Sequence, residues 1–134
     1  MTKTFDFPIR VYMEDTDAGG VVFYANYLKF MERARTEMLV AYGCDHAAMI
    51  RDDRLMFLVR HVEIDYLKPA RLADDLIIST SVSEMGNASL KMRQIVYKGE
   101  EIITEATIGL VCVTTEGKVC RIPAAIRDKF SIAN

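Results

Sequence analysis

YMEDTDAGGVVFYANY, residues 12–27, is the stretch from which the rest of the chain can be read. An acidic turn, Glu14, Asp15, Thr16 and Asp17, meets a glycine pair, Gly19 and Gly20. A short apolar step, Val21, Val22 and Phe23, then leads into a helix whose start the spacing places between Tyr24 and Tyr27. A helix start leaves backbone N–H groups unpaired and carries partial positive charge. A carboxylate on a loop facing such donors is the minimal equipment for acyl chemistry, since one group attacks or activates water and the donors stabilise the oxyanion. The same residue types also make an ordinary acidic cap with glycines for the turn. Position alone leaves both readings open.

Downstream of that start the pattern is helical as far as Tyr42. Tyr27, Met31, Ala34, Met38 and Tyr42 form one stripe, widened by Phe30 and Leu39, while Lys29, Glu32, Arg33, Arg35, Thr36 and Glu37 take the other side. Gly43 is placed as the helix C′ residue. A short second helix is expected over residues 45–51. Upstream, Phe7 to Met13 reads as a first strand with Pro8 near its beginning, where a missing N–H does least harm.

From Met56 the chain turns to strands. Met56 to Leu67 places Leu58, Val62, Ile64 and Tyr66 on one face, interrupted by Arg60, with His61, Glu63 and Asp65 on the other. Lys68 to Arg71 is a turn, and Leu76 to Ser83 and Leu90 to Tyr97 are strands joined through a hairpin at residues 85–88. Ile102 to Val113 is the last long strand, with Gly109 as a bulge or close-packing point. Pro123 opens a terminal helix reaching about Phe130. One domain over residues 1–134 is expected, of class α+β: an antiparallel sheet with a single long helix on one face. Exposed sheet edges in so short a chain favour dimerisation through edge strands.

The remaining composition excludes more than it assigns. A net charge of −2 gives no electrostatic case for nucleic acid. No apolar run has the roughly eighteen residues that a membrane span requires. The first residues lack the apolar core of a signal peptide, so a cytoplasmic protein is expected. Cys44, Cys112 and Cys120 have no C-x-x-C spacing and are expected to be small semi-buried side chains in a reducing compartment, not a redox centre. His46 and His61 share no motif, which argues against a structural metal.

Taken together, EDTDAGGVVFYANY, the helix segment MERARTEML, Val59 to His61, Tyr66 to Leu72 and Ala106 to Val113 resemble the hotdog-fold acyl-CoA thioesterases of the 4-hydroxybenzoyl-CoA thioesterase family. The branch they resemble most is the Tol-Pal system-associated, YbgC-type one. The resemblance implies a sheet wrapped around a central helix, homodimers or tetramers with sites at the subunit interface, and no cofactor. It implies an acyl-CoA substrate, or alternatively an acyl carrier protein thioester, hydrolysed to acid and thiol. Asp17 takes the place of the catalytic carboxylate, and the backbone N–H of Tyr24 that of the oxyanion donor. Tyr24 stands where the Tol-Pal-associated branch often has His; Phe23 and Tyr24 are closer to the hydroxybenzoyl-CoA type.

Asp17 either attacks the thioester carbonyl, giving an anhydride, or acts as general base on water. Asp15 is expected to be structural or capping. Gly19 and Gly20 let the backbone approach the thioester or adopt positive φ, with Val21 and Val22 beside them at the substrate. Tyr27 and Asn26 are candidate lining residues, against core packing for the first and helix capping for the second. Arg60 is a candidate for CoA phosphate, against an ion pair with Glu32, Glu37 or Asp65; His61 lies beside it. Lys68 and Arg71 are candidates for phosphate contacts at the expected pocket mouth, against solvated turn charges. Glu32 and Glu37 rank second as catalytic carboxylates on the helix. A non-catalytic acyl-CoA or protein-binding module is the alternative function, and it has no need of Asp17.

Overall fold

Five strands, β1 (Phe5–Arg10), β2 (Leu55–Tyr66), β3 (Asp75–Met85), β4 (Ser89–Lys98) and β5 (Glu101–Thr114), pair antiparallel in the order β1-β3-β4-β5-β2. The computed structural model describes residues 3–131. Its helices are α1 (Asn26–Ala41), a short α2 (His46–Ala48) that runs into a π-turn over Met49–Asp53, and α3 (Ala124–Ser131).

Period-2 alternation builds one face of the sheet. Ile78, Val96, Met92, Ile108, Leu110 and Cys112 are buried there against Tyr27, Phe30, Met31, Ala34, Met38 and Leu39 of α1, the stripe that helical spacing marks out. The opposite face carries half-buried Ser79, Ser81, Arg93, Glu105 and Thr107. One polar group crosses the core. Gln94 has no exposed surface; its amide nitrogen donates to the Met31 carbonyl and to Thr80 Oγ1, both at 2.9 Å, and its oxygen accepts from Arg35 at 3.0 Å. Every polar atom of that amide is therefore satisfied except one lone pair, and the network pins the helix to the sheet at mid-length.

Gly43 ends α1 as expected. Its φ is +82°, its N–H donates to the Val40 carbonyl at 3.0 Å, and the Cys44 N–H reaches the Leu39 carbonyl at 2.7 Å. That is a Schellman motif, which needs a left-handed residue. A Cβ there would also meet Lys129 Nζ at 3.3 Å, the ammonium that donates to the Gly43 carbonyl. Gly43→Ala is expected to lower unfolding free energy by about 1–2 kcal/mol, read from the urea midpoint at unchanged slope.

Two sequence expectations are corrected. The first strand stops at Arg10, because Met13–Asp15 folds into a single 3-10 turn in which the Asp15 carboxylate accepts the Tyr12 N–H at 2.8 Å. In β2 the register shifts between Val59 and His61, so Arg60 is a bulge residue with no partner on β5. Alternation flips there. Val59 and Val62, facing Leu110 and Ile108, lie on the helix side with Ile64 and Tyr66, whereas Leu58 lies on the other face opposite Val111. Gly109 is a close-packing point opposite His61, whose Cβ is 3.2 Å from where a glycine Cβ would stand.

Candidate active site

A bridge between Thr16 and Val22 closes a small hairpin whose tip is Asp17, Ala18, Gly19 and Gly20. The Asp17 N–H donates to the Val21 carbonyl at 2.9 Å, and the Gly20 N–H to the Asp17 carbonyl at 3.0 Å. Gly20 has φ +80°, so the left-handed residue that this turn requires is supplied by glycine. Gly19 serves differently. Its N–H donates to Asp17 Oδ1 at 2.8 Å, and a Cβ there would lie 3.2 Å from that oxygen. The carboxylate is thus aimed by one charge-assisted bond, and Oδ2 has no partner among the described residues.

The hairpin is seated from beneath. Asp15 is only 5% exposed; Oδ2 takes the Tyr12 N–H and Oδ1 the Asn26 side-chain amide, both at 2.8 Å, while its carbonyl accepts the Phe23 N–H at 3.0 Å. Asp15 is structural, as expected. Asn26 is not a cap: Ala25 occupies that position with no side-chain bond, and the Asn26 amide is buried against Asp15. Ala70 clamps the other side, accepting the Val22 N–H at 2.8 Å and donating its own N–H to the Tyr27 hydroxyl at 3.2 Å. Burial pushes the Tyr27 phenol above its ordinary value.

The chain then runs directly from Val22 into α1. Among the described residues, no acceptor takes the N–H of Tyr24 or Ala25. Tyr24 lies three residues beyond the Val21 carbonyl that holds Asp17, no more than roughly 10 Å of chain. Its carbonyl accepts the Tyr66 hydroxyl at 2.9 Å, and its ring stands edge-on to Tyr66 at 6.3 Å. The hairpin that carries this half-free carboxylate therefore leads straight into a helix start with open backbone donors. The chemistry this arrangement can perform is attack on, or hydration of, an acyl carbon whose oxygen gains charge.

The predicted residues divide into three sets. Asp17, Gly19, Gly20 and Tyr24 are exposed together, with Val21 half-buried beside them and bridged to Arg71. Val22, Asn26 and Tyr27 are buried beneath, where they hold the loop. Arg60 and His61 are exposed on β2, six and five residues from Tyr66, or roughly 15–20 Å along the strand. None of the carboxylates weighed for Arg60 pairs with it among the described residues. Lys68 is engaged by Glu101 at 2.7 Å.

Two features escaped the sequence reading. One is the clamp formed by Ala70 and Tyr66, which a basic turn and a strand end gave no sign of. The other is an apolar groove between α1 and the free edge of β2. Leu28, Val59, Val62 and Ile108 line one part of it, and Leu39, Phe57 and Leu110 the next, with Glu32 and Arg35 shared between them. Asp17 lines neither part. Burial lowers the Arg35 guanidinium from its usual value, offset in part by Glu32.

Comparison with known proteins identifies the family and the fold. The thioesterase superfamily (4HBT) pattern matches residues 19–105, beginning two residues after Asp17. The acyl-CoA thioesterase YbgC of Haemophilus influenzae is 42% identical over 81% of this chain and 80% of its own length. The acyl-CoA thioester hydrolase YbgC of Escherichia coli is 44% identical over 84% of each. A probable thioesterase from Bartonella henselae has the same fold, with TM-score 0.87 and 36% identity over 90% of this chain and 99% of that one. The sheet wrapped around one long helix is thus the hotdog fold, and the chain belongs to the thioesterase superfamily, an enzyme of the thioester-hydrolase class.

Proposed function

We propose that this chain hydrolyses acyl-CoA thioesters to a carboxylic acid and free CoA in the cytoplasm, as a homodimer or tetramer. Asp17 is the nucleophile or general base, and the Tyr24 N–H stabilises the oxygen that becomes negative. What supports this reading is the unpartnered Oδ2 of Asp17 on the hairpin that leads into the unpartnered N–H groups where α1 begins. A thioester suits so small an apparatus. Its carbonyl is electrophilic and its thiolate leaves readily, so one carboxylate and one preorganised dipole supply the essentials.

Assembly completes the site. β2 is a sheet edge of 12 residues, and Leu58, Val59 and Val62 on it are 44%, 47% and 37% exposed. Such an edge invites pairing with a second copy. Antiparallel pairing about mid-strand brings two Arg60 bulges together and covers the groove beside Arg35. Arg60 and His61 then reach substrate from a neighbouring protomer, with Arg60 free to meet a CoA phosphate. Val62→Glu is expected to convert the oligomer to monomer in sedimentation velocity and to abolish thioester turnover.

The test of the reaction follows free thiol released from short-chain, long-chain and aromatic acyl-CoAs, with an acyl carrier protein thioester as a further arm. Turnover of at least one CoA thioester is expected. Tight acyl-CoA binding without turnover of any would replace this reading with that of a binding module.

A further inference from the structure

After β5 the chain turns at residues 114–117 and comes back alongside itself. The Thr114 N–H meets the Lys118 carbonyl at 2.7 Å, Val113 bridges Val119, and the Cys120 N–H reaches the Cys112 carbonyl at 3.0 Å. This return places two thiols in contact, Cys112 Sγ to Cys120 Sγ at 3.5 Å. Cys112 is fully buried, opposite Phe57 of β2, while Cys120 is partly exposed. A disulfide needs the sulfurs at about 2.0 Å. The required approach of about 1.5 Å falls on a short surface turn, where Val119 is 66% exposed.

We propose that Cys112 and Cys120 form an oxidation site at which a peroxide converts the pair to an intrachain disulfide. Cys120 reacts first because it is the accessible thiol. Its thiolate sulfur attacks one peroxide oxygen, the O–O bond breaks, and the departing hydroxide takes a proton to become water, leaving a sulfenic acid. Cys112 then gives up its proton and attacks the Cys120 sulfur. The S–S bond forms, the S–O bond breaks, and the hydroxyl leaves as a second water. Two thiols have lost two electrons and one peroxide has become two waters. Burial, reinforced by the adjacent Cys120 thiol, pushes the Cys112 thiol up to about 12, which keeps it from being the first to react. The third thiol, Cys44, is buried beside Lys129 and serves as an internal reference.

The experiment treats the intact protein with hydrogen peroxide, blocks remaining thiols by alkylation and maps peptides without reduction. The expected product is a cross-linked pair of peptides containing Cys112 and Cys120, two hydrogens lighter than the separate thiols and restored by dithiothreitol. Cys44 remains a thiol. The thermal midpoint of the oxidised protein rises by roughly 5 °C, since the bond closes a short loop, and Cys120→Ser abolishes that rise. Cys120 overoxidised to sulfinic acid beside a free Cys112, two chains joined through Cys120, or three intact thiols would each overturn the proposal.

Discussion

Asp17→Asn is expected to lower kcat for thioester hydrolysis by about a thousandfold, equivalent to about 4 kcal/mol of transition-state stabilisation. The substitution keeps the shape of the side chain, and its carbonyl oxygen still accepts the Gly19 N–H that Oδ1 accepts now. What disappears is the negative charge on the oxygen that has no other partner. An amide neither attacks a thioester nor takes a proton from water at neutral pH. KM is expected to stay within about threefold, because the carboxylate acts on the reacting carbon and not on the CoA moiety. The thermal midpoint should move by no more than about 1 °C, since Asp17 is exposed and its aiming bond survives. Thiol release and a melting curve measured on the same preparation check both halves. Activity within about tenfold of the parent would remove Asp17 from the chemistry and leave the helix-start donors without a partner.

Legibility in the sequence was uneven, and the physical reason differs from place to place. The long helix was readable because Tyr27, Met31, Ala34 and Met38 repeat at a period that no strand shares, and Gly43 punctuates it. Strands β3 to β5 were readable because tight turns at Gly86 and Gly99 separate runs of matching length. β2 was misread from Arg60 backwards, for a bulge inserts one residue and reverses inward and outward without altering composition. The candidate loop was visible as a cluster of acidic and glycine residues. Its division of labour was not, because Asp15 and Asp17 are the same residue type two positions apart. Only coordinates separate the buried one, which binds Tyr12 and Asn26, from the exposed one, which binds Gly19. The Cys112–Cys120 contact was invisible for a related reason. Spacing rules describe cysteines joined through local turns such as C-x-x-C, whereas these two meet across a returning segment.

The division between the two aspartates carries its own test. Asp15→Ala is expected to destabilise the protein by about 3–5 kcal/mol, because two bonds to a charged acceptor are lost and their donors stay buried or half-buried. In a chain of this size that shifts the thermal midpoint down by roughly 10–15 °C. Much of this cost belongs to the orphaned Asn26 amide, which is 8% exposed and has no other acceptor among the described residues. Asp15→Ala combined with Asn26→Leu should therefore be more stable than Asp15→Ala alone, since an apolar side chain at position 26 removes the orphaned amide and leaves only the Tyr12 N–H without its acceptor. Turnover measured well below the melting transition should still fall about tenfold in both variants. With that anchor gone, only backbone bonds such as Phe23 N–H to the residue-15 carbonyl tie the start of α1 to the turn from which Asp17 projects, and a small misplacement of a reacting oxygen is costly. A double variant no more stable than the single one would place the stabilisation in the Tyr12 N–H bond instead. The anchor of the loop would then be the end of β1, not the start of α1.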